Sequence, residues 1–473
     1  MLKATRRGAV LLGLTALGLL VSSVSGFAEV QNVKVSGDIT VRAFHRQNLD
    51  LHDEGGAREG GGSLLLDGED FLMSTTGINV GADLTENVST FVRIANERDW
   101  DSTATGSTTG DIDLSQAYIT LKELFYAPLT LRVGTQPIVW GRGFVLGSNL
   151  FPSVNAIGGD RNGAITANEF TDFTAFDAIR ATLDLSNLGG INLPLSAEYV
   201  YIKVDENTVG ASDDINIQGV NFSSKLNAWN SEVEAYYLNK HDKSTAPAGS
   251  SVKAGSVNTL GIRGSAQPSK GAYLYGELAY QFGTRPIDPA GVLPTGDALQ
   301  AWGLDLGGEY TFAAVPTTPK LGAEWRFYSG QKAPSGNGAG GWSVVAPGYF
   351  RTALREFQTQ STVAGFYPND QVGVTSSGTN QHEFGFYGAL HPIEDLSISP
   401  RLSFFFMDVG TIPVTGAKRK SYLGAEWDTN VVYNYTDDVQ LGFLYALFAP
   451  GNAFRTPNDS TAQELITSVS VKF

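Results

Sequence analysis

No cysteine occurs in the 473 residues. That excludes disulfides, thiolate zinc sites, cysteine-ligated iron–sulfur clusters and a cysteine nucleophile. Histidine is scarce, at five residues, which leaves little material for a general base. Charged residues are only 17% and aromatics reach 11%, the opposite of a disordered composition. Basic residues are in deficit, 33 against 48 acidic, giving a net charge of −15. A nucleic-acid binder normally shows a basic surplus, so that class is excluded. The 55 glycines have no period of three, which removes a collagen-like reading. Beyond the N-terminus no stretch reaches the ~18 uncharged apolar residues of a spanning helix.

What is present begins with an address. Lys3, Arg6 and Arg7 form a basic start, Ala9 to Val24 is mostly apolar, and Ser25-Gly26-Phe27-Ala28 offers small residues around a cut after Ala28. This pattern predicts a secretory signal peptide over 1–28 and a single domain over 29–473. Its removal takes three basic residues away and moves the net charge from −15 to −18.

From Val33 onward the dominant period is two. Val33, Val35, Ile39, Val41 and Ala43 alternate with Lys34, Ser36, Asp38, Thr40 and Arg42. Trp302, Leu304, Leu306 and Tyr310 alternate with Gly303, Asp305, Gly307 and Glu309. Leu423, Ala425, Trp427, Thr429, Val431 and Tyr433 oppose Gly424, Glu426, Asp428 and Asn430. This is strand periodicity. About eighteen such segments begin near residues 33, 71, 88, 114, 129, 175, 193, 214, 231, 257, 271, 301, 319, 382, 396, 420, 438 and 464. In 193–203 and 214–226 the alternation slips, which suggests a bulge.

The connections sort by length. Every second one is short, as at Thr85-Glu86-Asn87, Ser269-Lys270 and Thr436-Asp437. The others are long, polar and rich in Gly and Ser, as at 48–70, 140–172 and 330–380. Short turns on one side and long loops on the other predict an all-β, up-and-down antiparallel transmembrane barrel of about eighteen strands. An even count places both termini on the short-turn, periplasmic side, and the chain ends in Phe473 on an alternating segment. A secreted soluble β-protein is the alternative, but the large aromatics on the apolar faces favour lipid contact.

Side chains cannot fill so wide a barrel, so water or inserted loops must do so. The polar faces then place Arg42, Arg93, Arg132, Arg142 and Arg180 inward, with Lys34 and Arg46, in the first third of the chain. The second half supplies Glu277, Asp305, Glu309, Glu324, Glu426 and Asp428, interspersed with Arg263, Arg326 and Arg401. This predicts an arginine-rich wall facing a carboxylate-rich one, with a transverse field and some pairing between the charges. Aromatics near strand ends predict interfacial belts: Phe125, Tyr126, Trp229 and Tyr435 on the periplasmic side, Trp100 and Trp140 on the outer side. The loop 140–172 is apolar at Phe144, Val145, Leu146, Leu150 and Phe151, and is expected to fold into the lumen as a constriction. The loop 330–380 carries Tyr349, Phe350, Arg351, Arg355 and Phe357, and reads as a plug, an outer lid, or a surface loop with a short helix near 352–358.

The run Leu131-Arg132-Val133-Gly134-Thr135-Gln136-Pro137-Ile138-Val139-Trp140-Gly141 resembles the strand motif of the alginate-export family of outer-membrane barrels. The preceding Leu114-Ser115-Gln116-Ala117-Tyr118-Ile119 is similar to the strand before that motif. Leu423-Gly424-Ala425-Glu426-Trp427-Asp428 and Phe443-Leu444-Tyr445-Ala446-Leu447-Phe448-Ala449-Pro450-Gly451 resemble its closing strands. The resemblance implies a monomeric eighteen-stranded barrel with an arginine-rich pore for an anionic polyuronate, with Arg132 and Arg142 as the matching lumen residues. A carboxylate wall opposes a polyanion, which keeps a general diffusion porin open as an alternative.

The functional expectation is therefore a porin-like outer-membrane channel for hydrophilic, anionic solutes such as uronate sugars or polysaccharide. A plugged structural barrel and an outer-membrane hydrolase are the other readings. The hydrolase lacks support: there is no Gly-x-Ser-x-Gly elbow or His-Glu-x-x-His motif, and His241-Asp242 is a pair without a third member. Asp160-Arg161-Asn162-Gly163 hints at calcium but lacks the spacing and closing Glu of an EF-hand, so no metal or cofactor is expected. The expected partners are outer-membrane lipid and lipopolysaccharide, the solute, and the barrel-assembly machinery through Phe473.

Overall fold

The computed structural model describes residues 32–49, 51, 68–100, 112–126, 128–148, 167–186, 193–205, 214–243, 255–284, 298–330, 340–348, 351–356, 379–410, 418, 420–454 and 459–473. The expected signal peptide and the Asp160–Gly163 segment lie outside these residues, as do Leu150, Phe151, Tyr349, Phe350 and Phe357.

Eighteen strands form one sheet among the described residues. The first six are β1 (Asn32–Gln47), β2 (Gly68–Thr85), β3 (Val88–Asp99), β4 (Asp113–Leu121), β5 (Leu129–Gln136) and β6 (Phe176–Asp184). Then come β7 (Leu195–Asp205), β8 (Ile215–Leu226), β9 (Ser231–Asp242), β10 (Gly255–Ala266), β11 (Ala272–Thr284) and β12 (Ala298–Thr311). The last are β13 (Lys320–Tyr328), β14 (Gln381–Ile393), β15 (Leu396–Phe406), β16 (Tyr422–Asn434), β17 (Val439–Pro450) and β18 (Ala462–Lys472). Each strand pairs antiparallel with its neighbours in sequence, and β18 pairs with β1, so the sheet closes on itself as the alternation predicts. At the seam Gly37 and Phe473 exchange two backbone hydrogen bonds of 2.9 and 3.0 Å. No helix among the described residues is long and apolar enough to cross a membrane. The strands supply the crossing, since closure leaves no unpaired edge.

Burial is inverted relative to a soluble protein. Val35, Ile262, Leu321 and Phe386 are exposed on the outer face, whereas Glu277, Asp305, Arg326 and Glu383 are buried inside. The physical reason is solvent order: the outer face meets lipid, and the polar face turns to the lumen. Phe125, Trp229 and Tyr435 stand exposed at short turns, where a periplasmic belt would lie.

Two local expectations change, and the bulge expected in β7 and β8 is found with a second cause beside it. Leu423 is fully buried inside the barrel instead of facing outward. Phe405 pairs with Gly424 and Phe406 with Tyr422, so Leu423 is the extra residue of a bulge, with Gly424 at φ 137°. Trp140 is 3% exposed and points into the lumen, away from any outer belt. In β7 and β8 the slipping alternation has two causes. A bulge lies between Lys203 and Asp205. The inward Val200, Ile202 and Ile217 are apolar, as are the outward Tyr199, Tyr201 and Phe222, so both faces look alike in sequence.

Candidate functional site in the barrel lumen

Two loop segments fold inward. The first runs from Pro137 to Ser148, directly after β5. Its Trp140 indole donates to Glu198 of β7 at 2.5 Å and tilts against Tyr236 of β9 at 5.9 Å. Phe144 stacks on Tyr328 at 5.2 Å and meets Trp342 at 5.9 Å. Beneath them lie the buried apolar residues Val200, Ile202, Ile217, Leu238 and Val257 of the wall. Burying this cluster is what holds the segment in the lumen; a Val, Leu or Phe side chain contributes roughly 1.5–3 kcal/mol when fully buried.

The second segment, Gly340 to Gly348, joins the first edge to edge. Ala346 N donates to Val145 O at 3.0 Å, Gly147 N to Ala346 O at 2.7 Å, and Gly348 N to Gly143 O at 2.7 Å. A Cβ on Gly348 would fall 3.1 Å from Gly147 Cα and 3.3 Å from Gly143 Cα, so glycine permits the close approach. The two loops form one internal partition. The segment expected at 140–172 and the segment expected at 330–380 therefore both enter the lumen in their described parts. For 340–348 and 351–356 this replaces the outer-lid and surface-loop readings.

Arg351 to Glu356 then docks on the carboxylate side of the barrel. Arg351 pairs with Asp305 of β12 at 2.5 Å and with Glu324 of β13 at 3.0 Å. Arg326 of β13 pairs with Glu356. Glu426 of β16 accepts the backbone N–H groups of Leu354 at 2.6 Å and Arg355 at 2.7 Å. Burial pushes the Glu356 carboxyl up to about 8, against the pull of Arg326.

The wall under these loops is charged in a row. Glu234, Arg263, Glu277, Asp305, Arg326 and Glu383 stand directly opposite one another across β9 to β14. Arg263 pairs with Glu234 at 2.6 Å and Glu232 at 2.9 Å. Tyrosines brace the carboxylates by spanning a glycine on the intervening strand. Tyr236 donates to Glu277 at 2.6 Å, Tyr275 to Glu324 at 2.5 Å, and Tyr387 to Glu309 at 3.1 Å. A Cβ on Gly307 would sit 2.3 Å from the Tyr275 hydroxyl, and Gly261 and Gly322 are overlaid by Tyr236 and Tyr387 in the same way. Arg142 lies over the Tyr275 ring, 3.8 Å from its centre. Much of the carboxylate wall is thus a dock for loop arginines and backbone amides.

The arginines of the first third are mostly paired nearby. Arg93 pairs with Asp38 at 2.8 Å and Asp172 at 2.8 Å. Arg180 pairs with Glu198 at 2.5 Å. Arg132 donates to Thr120 at 3.2 Å and covers the Tyr118 ring at 4.6 Å. Arg401 pairs with Glu324 and with Glu383, the latter at 2.6 Å. Glu309 takes Lys320 at 3.3 Å. Arg42 differs: it makes no ion pair among the described residues, lies 4.6 Å over the Phe170 ring, and its buried Nη1 has no hydrogen-bond partner.

A cavity of about 760 Å³ remains below the partition. Arg42, Lys320, Arg351 and Arg401 line it together with Glu169, Asp428 and Glu464. Hydroxyls of Thr174, Ser468 and Ser470 add neutral hydrogen-bonding groups. Glu169 sits on the short helical turn Asn168–Phe170 and binds Arg46, which also binds Glu464 at 2.5 Å. Burial pushes the Glu169 carboxyl up to about 7, with Arg46 pulling the other way. Sequence reasoning passed over Glu169, Glu356, Glu198, Glu383 and Glu464. The alternation of Glu464 with Leu465 and of Glu383 with Phe384 carries an inward signal. Glu169 and Glu356 have none, because loops have no period.

A profile of the alginate export family matches residues 67–468. None of the curated proteins matches the sequence significantly. Among solved structures, OccK9 (OpdG) of Pseudomonas aeruginosa is similar at TM-score 0.54 and 13% identity, covering 95% of this chain and all (100%) of its own. OccK2 (OpdF) of the same organism, in complex with glucuronate, gives 0.53 and 12%, covering 94% and 98%. A BenF-like porin from Pseudomonas fluorescens gives 0.52 and 12%, covering 95% and 100%. At these identities the likeness shows the barrel fold. With the family match spanning most of the chain, this porin-like, eighteen-stranded transmembrane barrel belongs to the alginate export family.

Proposed function

We propose that the protein is a bacterial outer-membrane channel that passes hydrophilic anionic solutes of the uronate class and carries out no catalysis. The observation that carries this reading is Arg42, a lumen guanidinium without an ion pair among the described residues, at the wall of the 760 Å³ cavity. The carboxylates that would oppose an anion are largely occupied. Asp305 and Glu324 bind Arg351, Glu426 binds loop amides, and Glu277 and Glu309 accept tyrosine hydroxyls. What a solute meets is then weighted toward Arg42, with the paired Lys320 and Arg401 and with Arg93, Arg132, Arg142, Arg180, Arg263 and Arg326 shaping the field around it. Family membership supports transport, and glucuronate in the complex of OccK2 supports the uronate class. Catalysis needs a nucleophile and a positioned base. The described histidines near carboxylates, His45 with Asp70 and His382 with Asp408, sit near strand ends.

As proposals, the barrel is a monomer in contact with outer-membrane lipid and lipopolysaccharide, and Phe473 is the signal read by the assembly machinery. The test is the reversal potential of the purified barrel in a planar bilayer under a KCl gradient, repeated with oligouronates. Anion selectivity with current block by uronates supports the reading. Cation or weak selectivity without block assigns the protein to general diffusion, the second reading, which Asp428 at the same cavity favours. Absence of conductance assigns it to a plugged structural barrel.

A further inference from the structure

Arg42 and Glu169 line the same cavity, and each keeps one buried, unsatisfied polar atom behind its surface. The Arg42 Nη1 is a buried donor without a hydrogen-bond partner, and the Glu169 Oε2 is a buried acceptor without one. Both residues line the 760 Å³ space. The Glu169 side chain is only 9% exposed, and its Oε1 is already taken by Arg46. We propose, on the basis of the anion-channel reading above, that these two residues form a two-point site for hydroxy-carboxylates: the guanidinium takes the carboxylate, and Oε2 takes a hydroxyl hydrogen of the same solute.

The surroundings fix both groups. Phe170 follows Glu169 directly and lies under the Arg42 guanidinium at 4.6 Å. Phe170 is held edge-on by Phe44 at 5.6 Å, and Phe44 stacks on Phe71 at 4.5 Å. A guanidinium pinned on a ring has little freedom left to lose on binding. Glu97 is within electrostatic reach of Arg42 but does not compete for the solute. Its oxygens accept from Thr171 Oγ1 at 2.9 Å and from the Asp172 N–H, which sets the 167–172 turn in place. Asp428 of β16, three strands from β1 through β17 and β18, lines the same cavity together with Arg401, Arg351 and Lys320.

The chemistry gives a discrimination that charge alone does not. A simple carboxylate satisfies Arg42 and leaves the Glu169 oxygen without a donor. A hydroxy acid satisfies both, and one added hydrogen bond of ordinary strength is about tenfold in affinity. The experiment compares D-glucuronate with cyclohexanecarboxylate, equal in charge and ring size but without hydroxyls, as blockers of single-channel current. Each protein is first shown to be folded by its heat-modifiable gel mobility. The expected result is block by glucuronate about tenfold stronger than by cyclohexanecarboxylate. In Glu169→Leu the preference disappears and cyclohexanecarboxylate block is retained. In Glu169→Gln the single amide oxygen is held by Arg46 and the NH2 group faces the solute, where it donates to a hydroxyl oxygen, so the preference is retained. In Arg42→Met block by both acids weakens. Equal block of the native channel by both acids overturns the two-point site and leaves the anion channel standing. Cation selectivity with block by neither overturns both.

Discussion

The guanidinium of Arg142 lies 3.8 Å from the centre of the Tyr275 ring, joining the first inserted segment to the carboxylate wall. A cation over an aromatic face contributes about 0.5–2 kcal/mol, depending on desolvation. The apolar packing of Trp140 and Phe144 holds the same segment independently. Arg142→Ala should therefore leave the fold intact while widening the lumen at that point. The expected result is a higher single-channel conductance, with the unfolding free energy lowered by less than about 2 kcal/mol. Unchanged conductance would place Arg142 away from the conducting path.

Glu324 carries more weight than the tyrosine that braces it. It binds Arg351 at 3.0 Å and also binds Arg401, and it accepts the Tyr275 hydroxyl at 2.5 Å. Removing one partner of a buried ion pair costs about 3–5 kcal/mol, because the other charge is stranded. Losing one hydrogen bond costs about 1 kcal/mol. Denaturant unfolding in detergent should rank Glu324→Ala as much more damaging than Tyr275→Phe. Equal effects would mean that Arg351 and Arg401 find other carboxylates.

Gly348 tests the seam between the loops. A side chain there meets the backbones of Gly143 and Gly147, which cannot yield as a rotamer would. Gly348→Val should separate the two loop segments at an overpacking cost of about 1–3 kcal/mol. Current recordings should show this as flicker between conductance levels that the native channel lacks. A steady current of native size would refute a partition held at this contact.

Glu169 should give the lumen a pH response. Its carboxyl is pushed up to about 7 from an ordinary 4.5, so the folded protein holds that proton more tightly than the unfolded chain does. Docking of the turn is therefore fully supported on the acid side and loses support as pH climbs through about 7. Below that pH the lumen also loses a negative charge next to Arg42. Anion over cation permeability should rise as pH falls from about 8 to about 6, and Glu169→Gln should flatten the curve. A native channel with no slope in that window contradicts the assignment.

The fold was legible because lipid and lumen impose opposite demands on successive residues. Segment starts expected at 231 and 396 coincide with Ser231 of β9 and Leu396 of β15, and the start expected at 33 with Asn32 of β1 to within one residue. The pattern blurred where the inside of the wall is itself apolar, at Val200, Ile202 and Ile217, because inserted loops replace water there. Leu423 was misplaced because one bulged residue reverses a face. Which loop residue meets which wall residue was not legible. Arg46 meets Glu169 and Arg351 meets Asp305 across 123 and 46 residues, and no alternation connects a loop to a strand.

Hairpins between successive strands can form as the chain is made, but the seam cannot. Thr40 meets Ser470 across 430 positions, and Phe473 completes the pairing with Gly37. The ring of strands therefore remains an open ribbon until β18 is available. The entropy lost in joining such distant ends grows only with the logarithm of their separation, so a ribbon this long closes at little more expense than a shorter one. The delay has a different consequence: both terminal edges stay unpaired meanwhile and are open to strands of other chains. Biogenesis must shield β1 and β18 until they find each other, and a chain shortened by its last strand would lose the partner that caps β1 and with it the closed wall.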